Sequence, residues 1–459
     1  MTDSRIEVNH MKNKLFRALK NGAAVLLAAS VLLAGCARSD GAAGTAGTAS
    51  AASGTSGSSE SSSAEVSGQP EAGTESTSSQ ESTASGSSAA SSAPSSGAEK
   101  ESAYLVEAAD APDVAGMECE GKMKLDYAEC FDIYYYEGGY ALIDVHESAS
   151  YLLVPEGAEV PDGLEDDIKV LQQPLDKIYL AATSAMALFR ALDSMDQVRM
   201  TGTNASGWYI EEAVEAINSG KMLFAGKYSE PDYELLVNEN CNLAIESTMI
   251  LHSPKVQEMI EDLDIPVFID KSSYETHPLG RTEWVKLYGA MMDKEDEAVQ
   301  FFEGQAEVIS ELKDFPNTEK KVAFFYVSTD GSIVVRRTTD YIPRMIDIAG
   351  GRYAFQDLTG AEATSSSVSL SMEEFYATAA DADYLVYNAT IDNPISTMEE
   401  LTAKDQLFED FKAVKEGNVW CVGKYMYQAT DIVGQLITDF HLMLTGGDPG
   451  EMTFLTKVD

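Results

Sequence analysis

The chain has 459 residues, with 32 Lys and Arg against 75 Asp and Glu and a formal net charge of -43. A surface this acidic repels nucleic-acid phosphates, and no Lys/Arg run supplies a local basic patch, so DNA and RNA are excluded as partners. A hydrophobic content of 44% is that of a globular protein, and the length suggests about two or three domains.

Residues 1–36 place Arg5, Lys12, Lys14, Arg17 and Lys20 before an apolar stretch at 23–33, broken only by Ser30. That is the layout of a secretory signal peptide, and the stretch is shorter than the roughly 20 residues of a spanning helix. It ends in Leu33-Ala34-Gly35-Cys36, which resembles the bacterial lipobox. The resemblance implies a diacylglycerol on Cys36, so that the protein is exported and lipid-anchored to the outer face of the cell membrane. An ordinary signal peptide with a chance Cys is the alternative. Met11 is a more natural start than Met1, because it leaves Asp3 and Glu7 outside the basic stretch. Residues 37–102 are nearly all Ser, Ala, Gly, Thr and Glu, with no aromatic. They cannot bury enough apolar surface to offset the entropy of ordering, which predicts a disordered tether with an r.m.s. span of about 45 Å.

Residues 103–459 hold nearly all of the acid excess. Phe131–Tyr136 and Tyr140–Val145, joined by Glu137-Gly138-Gly139, predict a hairpin, with a third strand at 151–154. Short apolar strands at 178–181, 223–225, 243–245 and 265–269 alternate with helices at 184–192, capped by Ser184, and 254–263. From 282 to 312 there is no Pro, and Trp284, Leu287, Met291, Val299, Phe302, Ala306 and Ile309 recur at helical spacing. One helix of about 45 Å is predicted, with Gly289 and Gly304 as its weak points. The pattern then restarts, with strands at 321–327, 332–335, 384–387 and 419–422 and helices at 341–349, 372–380 and 431–444. The fold class is therefore α/β: an N-terminal lobe at 103–281 and a C-terminal lobe at 314–459, each a mostly parallel sheet with flanking helices, joined by a single long helix at 282–313.

Five stretches carry a family resemblance. Pro231-Asp232-Tyr233-Glu234 before Leu243-Ala244-Ile245 and Ser371-Met372-Glu373 before Tyr384-Leu385-Val386 are matching helix-then-strand steps in the two lobes. Asp264-Ile265-Pro266-Val267, Met345 to Gly351 and Ala413 to Val419 complete the set. In this order, behind Cys36 and a tether, they resemble the solute-binding proteins of ABC importers for ferric siderophores, haem and cobalamin. The resemblance covers nearly all of 125–445. It implies a monomeric receptor without a cofactor or catalysis of its own. Its ligand is a small metal chelate, and its partners are an ABC permease and the ATPase of that permease. It also implies that Glu234 and Glu373, one on each lobe, dock into the permease. Ordinary exposed helix-terminal acids are the alternative for both, and Glu374 competes with Glu373.

In open parallel sheets ligands sit outside the carboxyl ends of the strands. The loops there offer Trp208, Tyr209, Tyr228, Tyr274, Tyr341, Tyr425 and Tyr427 as flat surfaces for a macrocycle or a catechol. They also offer Arg281, Arg336 and Arg337 as cations for an anionic chelate, unless the tandem pair is taken up by acids such as Asp340. His277 is a candidate to face the ligand, or a structural His before Pro278. Two rival functions stay open: a zinc or manganese receptor, and a non-transport lipoprotein adhesin. The folded part has no Gly-x-Ser-x-Gly or His-Glu-x-x-His to support an enzyme, and no paired His to hold a metal. Cys119 and Cys130 are close enough in sequence for a disulfide, and Cys241 and Cys421 sit beside predicted strands.

Overall fold

The computed structural model describes residues 104–312, 314–358 and 366–459, so Cys36 and the tether lie outside the described residues. The first sheet has β1 (Leu105–Val106), β2 (Cys119–Met123), β3 (Phe131–Tyr136), β4 (Tyr140–Val145), β5 (Ala149–Val154) and β6 (Ile168–Gln172), side by side in sequence order. It is antiparallel except for the parallel β5–β6 pair. The β3–β4 turn needs its glycines, since Gly138 and Gly139 both have φ of 83°. Period-two alternation gives the sheet two buried faces. Ile133, Ile143 and Leu153 enter the main core, while Tyr134, Leu142 and Leu152 enter a smaller one with Val114. A disulfide between Cys119 and Cys130 does not form, and both thiols are free. Cys119 pairs across from Tyr136 at one end of β3, whereas Cys130 precedes the other end. A six-residue strand separates them by roughly 20 Å, against the roughly 6 Å a disulfide allows.

The second sheet is wholly parallel. Its chain order is β7 (Ile178–Leu180), helix α1 (Met186–Ala191), β8 (Val198–Thr201), α2 (Glu211–Asn218) and β9 (Leu223–Phe224). A small hairpin follows, β10 (Gly226–Lys227) with β11 (Glu230–Pro231), then α3 (Tyr233–Asn238), β12 (Leu243–Ser247), α4 (Pro254–Glu261) and β13 (Val267–Asp270). The strand order is β13-β12-β7-β8-β9, and the middle strand, β7, is buried on both faces. α1 starts two residues later than expected, and Ala185 rather than Ser184 stands at its cap position.

The segment expected as one helix over 282–313 forms two, α5 (Pro278–Met291) and α6 (Glu295–Ser310). The chain turns through Asp293, at φ 54°, and the Lys294 N–H donates to the Gly289 carbonyl at 2.8 Å. Helix α6 then packs back on α5. A Cβ at Gly289 would stand 2.5 Å from that of Ala298, so only glycine permits this approach. The apolar spacing on either side of the turn is helical in both cases, which is why periodicity alone ran through it.

The C-terminal lobe contains β14 (Lys321–Val327), β15 (Ile333–Arg336), α7 (Tyr341–Ile348), β16 (Arg352–Tyr353), β17 (Ser367–Leu370) and α8 (Met372–Ala379). It continues with β18 (Tyr384–Asn388), α9 (Met398–Thr402), α10 (Lys412–Lys415), β19 (Val419–Val422), α11 (Val433–Thr445) and β20 (Leu455–Lys457). The sheet order is β17-β15-β14-β18-β19-β20, with β16 also on β14. Its centre is parallel and its margins antiparallel.

Two buried carboxylates fix the first sheet to α5. Glu283 accepts from the backbone N–H groups of Asp126, Tyr127 and Ala128 at 2.7–2.8 Å and pairs with Lys286 at 2.7 Å. Glu275 accepts from the N–H groups of Glu129 and Cys130 and from the Trp284 indole. Each carboxylate thus has its charge met by several donors, as burial requires.

Candidate functional site

The strands of the parallel sheets direct their carboxyl ends to loops that carry most of the candidate residues. Arg281 lies in the first turn of α5, and its guanidinium is 4.1 Å from the centre of the Tyr341 ring, in the first turn of α7. Asp340 caps α7 by accepting from the Ile342 N–H at 2.9 Å, and it pairs with Arg336 at 3.5 Å. Burial raises the Asp340 carboxyl above its usual range, and Arg336 and Arg281 pull it back. Arg336 thus pairs with Asp340, while the charge of Arg281 acts on Asp340 and on buried Asp270 from beyond pairing distance. Tyr427, 59% exposed, stands beside Arg281 and Tyr341. The space enclosed between them is about 10 Å³, room for about one water.

Arg337 adjoins this group, and its Nε is buried with no hydrogen-bond partner among the described residues. Tyr425 stacks on Phe454 at 5.5 Å and brings its hydroxyl to 3.5 Å from Arg190. Tyr209 is 42% exposed, and its backbone N–H donates to the Gln428 side chain at 2.7 Å. Gln428 in turn donates to the Gly207 carbonyl, Thr282 donates to the Thr430 carbonyl, and Arg190 pairs with Asp431 at 2.5 Å. One short segment, 428–431, thus makes these polar contacts to α1, to the loop after β8 and to α5. Burial lifts the Asp431 carboxyl, and Arg190 opposes this. Arg190 had no signal in the sequence, because it reads as an ordinary last-turn helix cation.

Four candidates lie elsewhere. Trp208 is a core residue whose indole donates to the Thr203 carbonyl at 3.0 Å, so it offers no flat face to a ligand. An aromatic after a strand looks the same in sequence whether it fills the core or the cleft. His277 caps α5 through Nδ1, which accepts from the Leu279 N–H at 3.2 Å, and its ring stacks on Tyr127. Burial, helped by the charge of Arg344, lowers its pKa to about 4. Tyr228 packs half-buried on the satellite core of the second sheet. Tyr274 stands over a separate recess of about 800 Å³ between the first and second sheets, with Lys169 and Lys271 among its walls.

A third recess, open and about 500 Å³, lies at the carboxyl ends of β8 and β9. Thr203, Asn204, Lys227 and Glu230 give it polar walls, and the 46% exposed Phe224 gives it an apolar one. Phe224 was missed because it reads as the interior of a strand.

Glu234 and Glu373 are both exposed in the first turns of α3 and α8. Glu374 is engaged in a capping box, accepting from the Ser371 N–H at 2.8 Å while the Ser371 hydroxyl accepts from the Glu374 N–H. Among the described residues no three His, Cys, Asp or Glu side chains gather to hold a metal ion, and no helix is long and apolar enough to cross a membrane.

Two α/β lobes with parallel strands ending at facing loops define a bilobal solute-binding protein. The chain belongs to the periplasmic binding protein family, whose profile matches residues 183–425. The first sheet precedes that match. The chain is 29% identical over 302 residues to a lipoprotein of Methanocaldococcus jannaschii, covering 63% of this chain and 68% of the relative. A periplasmic binding protein from Veillonella parvula is similar in structure at 16% identity and a TM-score of 0.47, covering 59% of this chain and 91% of that one. A petrobactin-binding protein from Bacillus subtilis is similar at 18% identity and a TM-score of 0.48, covering 59% and 92%.

Proposed function

We propose that the chain is the substrate-binding lipoprotein of an ABC importer. It is held by lipid on Cys36 at the outer face of the cell membrane. It captures an anionic metal chelate, a ferric siderophore, haem or a cobalamin-like ligand, between its lobes and delivers it to the permease. The observation that carries this reading is the cluster of Arg281, Arg336, Tyr341 and Tyr427, cationic and aromatic side chains in a strongly acidic protein. Guanidinium forks recognise anionic oxygen donors, and the rings supply stacking area. Tyr425 stacks on Phe454, which lines the same place. The space now enclosed there is far below the size of a chelate, so binding requires the lobes to part. No chemistry is assigned to this subunit, and hydrolysis of ATP belongs to its partner. Glu234 and Glu373 are its permease contacts.

The test is to incubate the purified chain with a mixture of ferric catecholates, ferric hydroxamates, haem and cobalamin, and identify by mass spectrometry what stays bound. Retention of one of these, with a raised melting temperature, supports the reading. A melting response to free zinc or manganese alone overturns it.

A further inference from the structure

Glu246 lies on β12 wholly buried, and neither carboxylate oxygen has a hydrogen-bond partner among the described residues. Strand alternation sends Leu243 and Ile245 into the main core, and Ala244 and Glu246 to the opposite face under α3 and α4. The groups that meet Glu246 there are the Tyr179 phenol from β7 and the Tyr233 phenol from the first turn of α3. Cys241, from the turn before β12, adjoins Tyr179. Ile250, Ile260, Val267 and Ile269 complete the surroundings with apolar atoms. The charged side chains of the covering helices are engaged elsewhere. Asp232, Glu234, Lys255 and Glu258 are exposed, Glu239 pairs with Arg199, and Glu261 pairs with Lys169. Asp270 on β13 points to the other face of the sheet, to Tyr288. Burial that nothing offsets lifts the Glu246 carboxyl to about 8.

We propose that Glu246 is a proton-controlled support for α3: neutral, it lets the first turn of α3, which presents Glu234, pack on the sheet, and ionised, it drives that turn off. The consequence for transport rests on the reading of Glu234 as a docking residue. The sign follows from linkage. Once α3 opens and water reaches the carboxyl, its pKa falls toward 4.5, so opening releases a proton. Opening therefore increases with pH by up to about tenfold per unit between about pH 5 and about pH 8, and levels off above. Tyr233 and Tyr179 are held above the usual tyrosine range and Cys241 is lifted to about 11, so none of them changes charge in that window.

Hydrogen exchange of the full-length chain, corrected for intrinsic rates, reads this directly. In the wild type, the amides of residues 236–238 lose protection by up to about tenfold per pH unit from about pH 5 to about pH 8, while those of α11 do not. Glu246→Gln and Glu246→Leu both abolish the slope. Leu has neither a proton nor a polar atom to satisfy, so it keeps the measurement open if the buried amide of Gln unfolds the lobe. Equal slopes in the wild type and the variants overturn the proposal, as does a slope shared by α11. Uptake by cells carrying Glu234→Ala reads the docking role separately. Unchanged uptake there removes the consequence for transport and leaves the exchange result to decide the switch.

Discussion

The Arg281 guanidinium carbon stands over the Tyr341 ring, 4.1 Å from its centre, and the group meets no carboxylate within pairing distance among the described residues. One Nη–H of Arg281 donates to the Ser273 carbonyl at 3.5 Å, and a guanidinium held by a ring has further edge N–H groups to offer an anion. Arg281→Ala is expected to weaken binding of the retained chelate by about ten- to a hundredfold, the worth of one or two charge-assisted hydrogen bonds. Arg281→Lys keeps the charge but not the fork, and should recover only part of that loss. A fluorescence-quenching titration with the chelate found by mass spectrometry checks this. Equal affinity of all three proteins takes Arg281 out of the site.

Glu373 and Glu374 are neighbours with different work. Glu374 closes the capping box on α8, and its bonds from Ser371 hold its carboxyl below the usual range. Glu373 has its side chain in solvent. Glu374→Ala should therefore lower the melting temperature and leave uptake near the wild-type rate. Glu373→Ala combined with Glu234→Ala should do the reverse, leaving the melting temperature unchanged and abolishing uptake. Chelate affinity should stay constant in both cases. Loss of uptake from Glu374→Ala alone would transfer the docking role to that residue.

Local pattern was legible where one element's own residues decide it. The β3–β4 hairpin, the strands at 243–245 and 419–422 and the helix–strand steps around Glu234 and Glu373 follow from alternation, turn glycines and caps. What escaped depends on contacts between distant segments. Gly289 looked like a weak point inside one helix; it stays helical within α5, and its missing side chain lets Ala298 pack back against it after the turn at Asp293. The clamp of Glu283 on Asp126, Tyr127 and Ala128 spans about 155 residues and has no local signature. The same holds in the candidate site. Arg281, Arg336, Tyr341 and Tyr427 meet because their loops follow strand ends, which the sequence indicates. Trp208 and His277 follow strand ends too, but core packing and a helix cap claim them.

The cap formed by His277 makes a pH prediction. Its Nδ1 accepts from the Leu279 N–H, so it works only while neutral, and burial lowers its pKa to about 4 from the model-peptide 6.5. Above pH 6.5 the ring is neutral in the folded and unfolded chains alike, and it contributes no pH dependence. As the pH falls from about 6.5 to about 4, the unfolded chain takes up a proton that the folded chain refuses, so stability is lost across that window and not below it. The loss amounts to about 1–2 kcal/mol once the partial exposure of the ring is allowed for. His277→Asn keeps a cap acceptor without the proton and should lack this component. Urea midpoints at pH 7.5, 5.5 and 4 compare the two proteins, so that other titrating groups cancel. The wild type should lose ground to the variant steadily as the pH falls. A stability difference that stays constant over the series would show that the His277 ring is free to protonate in the folded chain.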